Sequence, residues 1–168
     1  TLDHSHVIFK IDNEVEQEIF DIKSAIESGD LILDPFQTGS ICQEWIDRGF
    51  VSHCHARAAV PNNPKNTRYT YPDGSPGRGV QYPFFEPQPG QFPADWSEQR
   101  LEPWKEVVRQ LLRYHAANQE SSLGQISTEF IPGPDYGWGH GYSIFEHSVA
   151  CARWLKATWE TISAEEDS

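Results

Sequence analysis

Apolar residues between Asn13 and Ser28 fall at Val15, Ile19, Ile22 and Ile26, in steps of four, three and four. Such spacing lines one face of a helix, and Gly29 is a suitable stop. A second periodic stretch predicts a helix from about Leu101 to Asn118. Pro103 is tolerated in its first turn, and Val107, Val108, Leu111 and Leu112 form its apolar stripe. A third helix begins at Ser143, which has Glu146 three residues on in the spacing of a capping box. Phe145, Val149, Ala152, Leu155 and Trp159 then share one face before an acidic tail, AEEDS, that is expected to fray. Three intervening stretches read as strands: TLDHSH, GFVSHCHARAAV and GQISTEFI. The stretch LILDPFQTGSICQEWIDRG has no clean period and predicts a loop with a short helix over Ile41 to Asp47. The order is strand, helix, strand, helix, strand, helix. Such alternation argues for parallel strands with helices packed on them, an α/β fold.

Residues 60 to 96 break this pattern with a run rich in proline and glycine. A loop longer than about 15 residues inside a compact domain is either disordered or part of a site. This one follows directly after the second strand, where α/β folds hold their ligands. Tyr69, Tyr71, Tyr82, Phe84, Phe85, Phe92 and Trp96 favour an ordered cover over a flexible linker.

Composition narrows the function classes. With 168 residues, 38% of them hydrophobic, the chain has material for one core, so residues 1–168 are read as one domain. Asp and Glu outnumber Lys and Arg 25 to 13, a net charge of −12, which repels a phosphate backbone and argues against nucleic acid as a partner. No apolar run approaches the roughly 18 residues of a membrane span, and no basic start leads into a short apolar stretch as in a secretory signal. Cys42, Cys54 and Cys151 are odd in number and contain no C-x-x-C pair, which fits a reduced, cytoplasmic setting. The absence of any methionine raises the expectation that the chain is a fragment.

Candidate chemistry gathers on the predicted strands. Side chains alternate along a strand, so His53, His55 and Arg57 share one face while Ser52, Cys54 and Ala56 share the other. His53 and His55 are either hydrogen-bonded core or surface histidines or, with Arg57, a set aimed at a ligand, since an unpartnered guanidinium is costly to bury. Asp3 and His6 are three apart, so serving one site requires the chain to leave extended geometry just after Asp3. The plainer alternative is a polar, frayed terminus. Glu129 stands where the third strand runs into the turn of STEFIPGPDYG. Asp3, His55 and Glu129 thus occupy equivalent strand ends, and a carboxylate and imidazole set suits Mn²⁺, Mg²⁺, Co²⁺ or Zn²⁺. Cys54 is excluded as a ligand because it points away from His55.

Four pieces in order, LDHSH, HCHAR, RGVQYPFFEP and STEFIPGPDYG with the following YSIFEHSVACARWL helix, resemble the C-terminal part of the sugar phosphate isomerase/epimerase family, the xylose-isomerase-like TIM barrels. The resemblance spans nearly the whole chain. It implies about the last three β/α units of a (β/α)8 barrel with the N-terminal units absent. It also implies a metal held by Asp3, His55, Glu129 and a further glutamate upstream of Thr1, with Mn²⁺ the first candidate. His6, Arg57 and His53 would bind substrate. Glu129 and His6 would act in catalysis, with the partner glutamate on the opposite face of a sugar or polyol. The activity implied is isomerisation or epimerisation by proton abstraction next to a carbonyl, with the isolated chain inactive.

Four other readings come within reach of the sequence. A lyase or dehydratase would share the metal and the proton abstraction, and a non-catalytic subunit would complete a partner's barrel. A nuclease acting at abasic sites conflicts with the net charge of −12. A cupin site is opposed by the three helices and by Ala58, Ala59 and Val60 where its glutamate would follow the second histidine. Homo-oligomerisation is left open.

Overall fold

The computed structural model describes residues 1–62 and 66–166. Its centre is a short parallel array. Strand β1 (His53–Ala56) pairs in parallel with β4 (Gln125–Thr128), His55 standing opposite Ser127. On the other side of β1, Leu2 forms a parallel bridge with Cys54: Leu2 N donates to His53 O at 2.8 Å, and His55 N donates to Leu2 O at 2.8 Å. Parallel pairing is therefore as the alternating element order required. The remaining strands, β2 (Asn66–Thr70) and β3 (Pro76–Gly77), form a separate antiparallel pair within the long loop. The fold is mixed α/β with two small sheets, and no barrel is closed among the described residues.

All three central strands are shorter than the sequence predicts, and TLDHSH shrinks to the single bridge at Leu2. The cause is local. Asp3 Oδ1 accepts from Ser5 N at 3.2 Å and from Ser5 Oγ at 2.5 Å, an Asx turn that diverts the chain into helix α1 (Ser5–Ile8).

The predicted helix over 13–28 is two helices, α2 (Glu14–Ile19) and α3 (Lys23–Ser28). Asn13 Oδ1 caps the first by accepting from Glu16 N. A Schellman turn ends it, with Asp21 N bonded to Glu18 O, Ile22 N to Gln17 O and Asp21 at φ 53°. The break turns the expected apolar stripe outward: Val15 is 57% exposed and Ile19 is 67% exposed. Gly29, at φ 81°, does end α3.

Three helices pack behind the parallel strands. Helix α4 (Ile41–Asp47) forms where expected, capped by Ser40 Oγ, and buries Cys42 and Ile46. Helix α5 (Glu102–Ala117) buries Trp104, Val107, Val108, Leu111 and Leu112, the predicted stripe extended by a tryptophan. Helix α6 (Ile144–Glu166) starts at Ser143, whose Oγ accepts from Glu146 N at 3.2 Å, and it is helical through Ala164, Glu165 and Glu166 of the tail expected to fray, the rest of which lies outside the described residues. Its buried face differs from the predicted one. His147, Cys151 and Ile162 are buried while Phe145 is 74% exposed. The helix is rotated because His147 Nδ1 accepts from Phe84 N at 2.9 Å and Cys151 Sγ reaches Ala56 O at 3.9 Å.

Within residues 66–96 the long loop is packed as a cover. Val80, Gln81 and Tyr82 are fully buried, Tyr82 N donates to Ala58 O at 2.8 Å, and Trp96 Nε1 donates to Pro83 O at 2.9 Å. Among the described residues no helix is long and apolar enough to cross a membrane, and the three cysteines are buried and unpaired.

Candidate metal centre

Parallel neighbours end on the same side of a sheet, so residues at corresponding strand ends converge. Asp3 follows the Leu2 bridge, His55 lies in β1, and Glu129 follows β4, its N bonded to Ala56 O at 3.3 Å. Ligand atoms of Asp3, His55 and Glu129 lie within 4.8 Å of one another. His55 Nδ1 is 3.1 Å from Glu129 Oε1.

Arg57 holds this cluster together. It is 3% exposed, and its guanidinium lies between the two carboxylates, with Nη1 2.9 Å from Asp3 Oδ2 and Nη2 bonded to Glu129 Oε2. Nη1 also donates to Ser5 Oγ at 2.9 Å, and Nε donates to Glu129 O at 3.1 Å. One oxygen of each carboxylate is thereby fixed by the guanidinium. The others, Asp3 Oδ1 and Glu129 Oε1, face Ser5 and His55. Without the cation, two carboxylates this close would repel, and without the carboxylates the buried guanidinium would be uncompensated.

His6 stands beside the cluster. Its Nε2 is 3.6 Å from Asp3 Oδ2, 3.4 Å from Arg57 Nη1 and 3.3 Å from the Tyr136 hydroxyl. Burial lowers its pKa; Asp3 opposes that shift, while Arg57, Lys10 and Arg78 reinforce it. Because a guanidinium only donates, Nε2 serves as the acceptor of a neutral ring. Asp3 and His6 thus do meet, through the departure from extended geometry that a shared site would require.

His53 shares the face of His55, edge to face at a centroid distance of 4.7 Å, and its Nε2 is 2.9 Å from Ser127 Oγ. It lies one layer below the carboxylates rather than among them. Cys54 points to the opposite side as strand parity required: it is buried in the core, its Sγ 3.7 Å from His4 Nδ1, and burial raises its thiol pKa to about 12. Sequence reasoning missed Ser5 and Tyr136. The Asp-x-Ser spacing of an Asx turn was a readable sign of the first, whereas nothing local links Tyr136 to Arg57.

The donor set could hold a divalent ion. Two cis ligands at about 2.1 Å from one ion stand about 3 Å apart, close to the 3.1 Å between His55 Nδ1 and Glu129 Oε1. Two carboxylates and one guanidinium leave one net negative charge, and all three donor side chains are partly open to solvent. Comparison with protein-family models, with curated proteins and with solved structures finds no match to this chain.

Proposed function

We infer that this chain forms the late β/α units of a xylose-isomerase-like (β/α)8 barrel and carries most of the metal centre of a sugar or polyol isomerase or epimerase. The observation that carries the reading is the meeting of Asp3, His55 and Glu129 at the ends of three parallel neighbours, with Arg57 bridging the carboxylates. Support for further strands comes from the sheet itself. Among the described residues neither Leu2 nor β4 has a second strand neighbour, and His53, His55 and Ser127 on the inner face are only half-buried.

A divalent ion, Mn²⁺ first among Mn²⁺, Mg²⁺, Co²⁺ and Zn²⁺, would be held by Asp3, His55 and Glu129 and would act as a Lewis acid toward the carbonyl and neighbouring hydroxyl of the sugar. Glu129 would accept the proton from the carbon next to the carbonyl and return it, as general base and then acid. Its oxygens are oriented by Arg57 and His55 before substrate arrives. Arg57 would meet the negative charge that develops on the substrate oxygens, and neutral His6 would hold a substrate hydroxyl through Nε2. A second carboxylate is needed for exchange on the opposite face, and it would come from outside these residues.

The test is titration of the chain with Mn²⁺, followed by assay against a panel of aldoses, ketoses and cyclic polyols, alone and with the missing barrel units supplied. Saturable binding lost in Asp3→Asn and Glu129→Gln, with interconversion only in the completed barrel, is the expected result. No saturable binding would end the metal reading, and interconversion by the chain alone would end the partial-barrel reading. The open sheet edges equally favour a subunit that completes a partner's barrel. Activity that needs a separate, co-purifying polypeptide would select that version.

A further inference from the structure

Tyr136 lies beside the two side chains that flank the carboxylates. Its ring centroid is 4.3 Å from the Arg57 guanidinium carbon, inside the roughly 6 Å range of a cation–π contact, on a cation that is otherwise lined by Asp3, Ser5, His6 and Glu129. Its hydroxyl is 3.3 Å from His6 Nε2, and the two rings meet edge to face at 6.0 Å.

The loop carrying Tyr136 is tied down on both sides. Asp135 Oδ1 accepts from the Tyr71 hydroxyl at 2.6 Å and from Arg78 N at 3.0 Å, and Asp135 O accepts from Val80 N at 3.0 Å. Ile131 N donates to Gln81 Oε1 at 3.0 Å. Gly133 leaves room for the ring, since a Cβ there would stand 2.8 Å from Tyr136 Cδ2. Gly137 permits the return of the chain, since a Cβ there would stand 2.8 Å from Gln81 Nε2.

We propose that Tyr136 is a positioning residue of this site, its ring holding the Arg57 guanidinium between Asp3 and Glu129 and its hydroxyl holding the His6 imidazole. The idea rests on the reading of Asp3, His55 and Glu129 as a metal centre. The ring closes a further side of the guanidinium, so Arg57 stays on Asp3 Oδ2 and Glu129 Oε2, and Asp3 Oδ1 and Glu129 Oε1 stay with Ser5 and His55. The hydroxyl shares the Nε2 lone pair with Arg57 Nη1, and donation from that side keeps the His6 proton on Nδ1.

The experiment compares Tyr136→Phe and Tyr136→Leu in the 168-residue chain. The NMR signals of the Arg57 guanidinium and the His6 ring nitrogens are read without metal, and Mn²⁺ affinity is then titrated. Tyr136→Leu is expected to abolish the ring-current shift at Arg57 and to weaken Mn²⁺ binding about tenfold. Tyr136→Phe is expected to keep the Arg57 shift and an affinity within twofold, changing only the His6 nitrogen shifts. Wild-type affinity in a folded Tyr136→Leu chain overturns the proposal, and so does a Tyr136→Phe chain that loses as much as Tyr136→Leu or leaves His6 unchanged. If the wild-type chain binds no Mn²⁺, the metal centre fails by itself. The Arg57 and His6 signals then decide the role of Tyr136.

Discussion

The two faces of β1 are made of alternate residues of one four-residue strand, yet they are held by different physics. Cys54 and Ala56 are fully buried against a layer that includes Trp104, Val108 and Cys151, where burial of apolar surface stabilises. His53 and His55, with Arg57 just beyond the strand, face a polar cluster in which charges and hydrogen-bond donors must balance. A loss of volume harms the first face, whereas an uncompensated charge harms the second.

The largest expected effect is on the packed face. Trp104→Ala removes a fully buried side chain and should cost about 4 kcal/mol in urea unfolding, with no recovery on adding Mn²⁺. Arg57→Met leaves the two carboxylates facing each other and should cost about 3 kcal/mol without metal. Millimolar Mn²⁺ should restore much of that loss, because the ion replaces a cation and not a volume. If Mn²⁺ rescues both variants equally, or neither, the distinction between the faces fails.

Acid should act through the packed side by way of His147. Burial lowers its pKa from 6.5 to about 4, and its Nδ1 accepts from Phe84 N, so the folded state holds it neutral. Below pH 6.5 the unfolded chain takes up a proton that the folded chain refuses, so stability falls with pH down to about 4 and then levels. At pH 5 the contribution of His147 to this loss is about 2 kcal/mol. Urea midpoints at pH 7 and pH 5 for the wild-type chain and His147→Gln measure it, and an unchanged difference between the two pH values in the variant would refute it. The smallest stability change is expected from Glu129→Gln, about 1 kcal/mol, because the amide oxygen can still accept from Arg57 Nη2 and Asp3 still balances the guanidinium charge. The same variant should lose the stabilisation by Mn²⁺, measured as a thermal shift.

Some of the fold was legible because the signals are local. Helix α5 carries its stripe on a regular period, Ser143 caps α6, and Ile41–Asp47 is helical as expected. The stripe at Val15 and Ile19 misled because periodicity says which residues share a face and not whether anything covers it. The rotation of α6 was hidden for the same reason: His147, a polar residue, outcompeted Phe145 for the interior through its hydrogen bond to the cover loop. Of the site, the partition of His53, His55 and Arg57 from Cys54 was readable, and the strand-end positions of Asp3 and Glu129 were readable as places. The bridging of both carboxylates by Arg57 was not.

The sequence by itself determined the alternation of side chains along β1, the caps and the departure from extended geometry after Asp3, because each depends on bonds within a few residues. Only the tertiary structure decided that Asp3 and Glu129, far apart in the sequence, share one guanidinium, and that Tyr136 covers it. Those meetings are set by parallel strand pairing and by the packing of the cover loop. Neither leaves a periodic trace in the sequence.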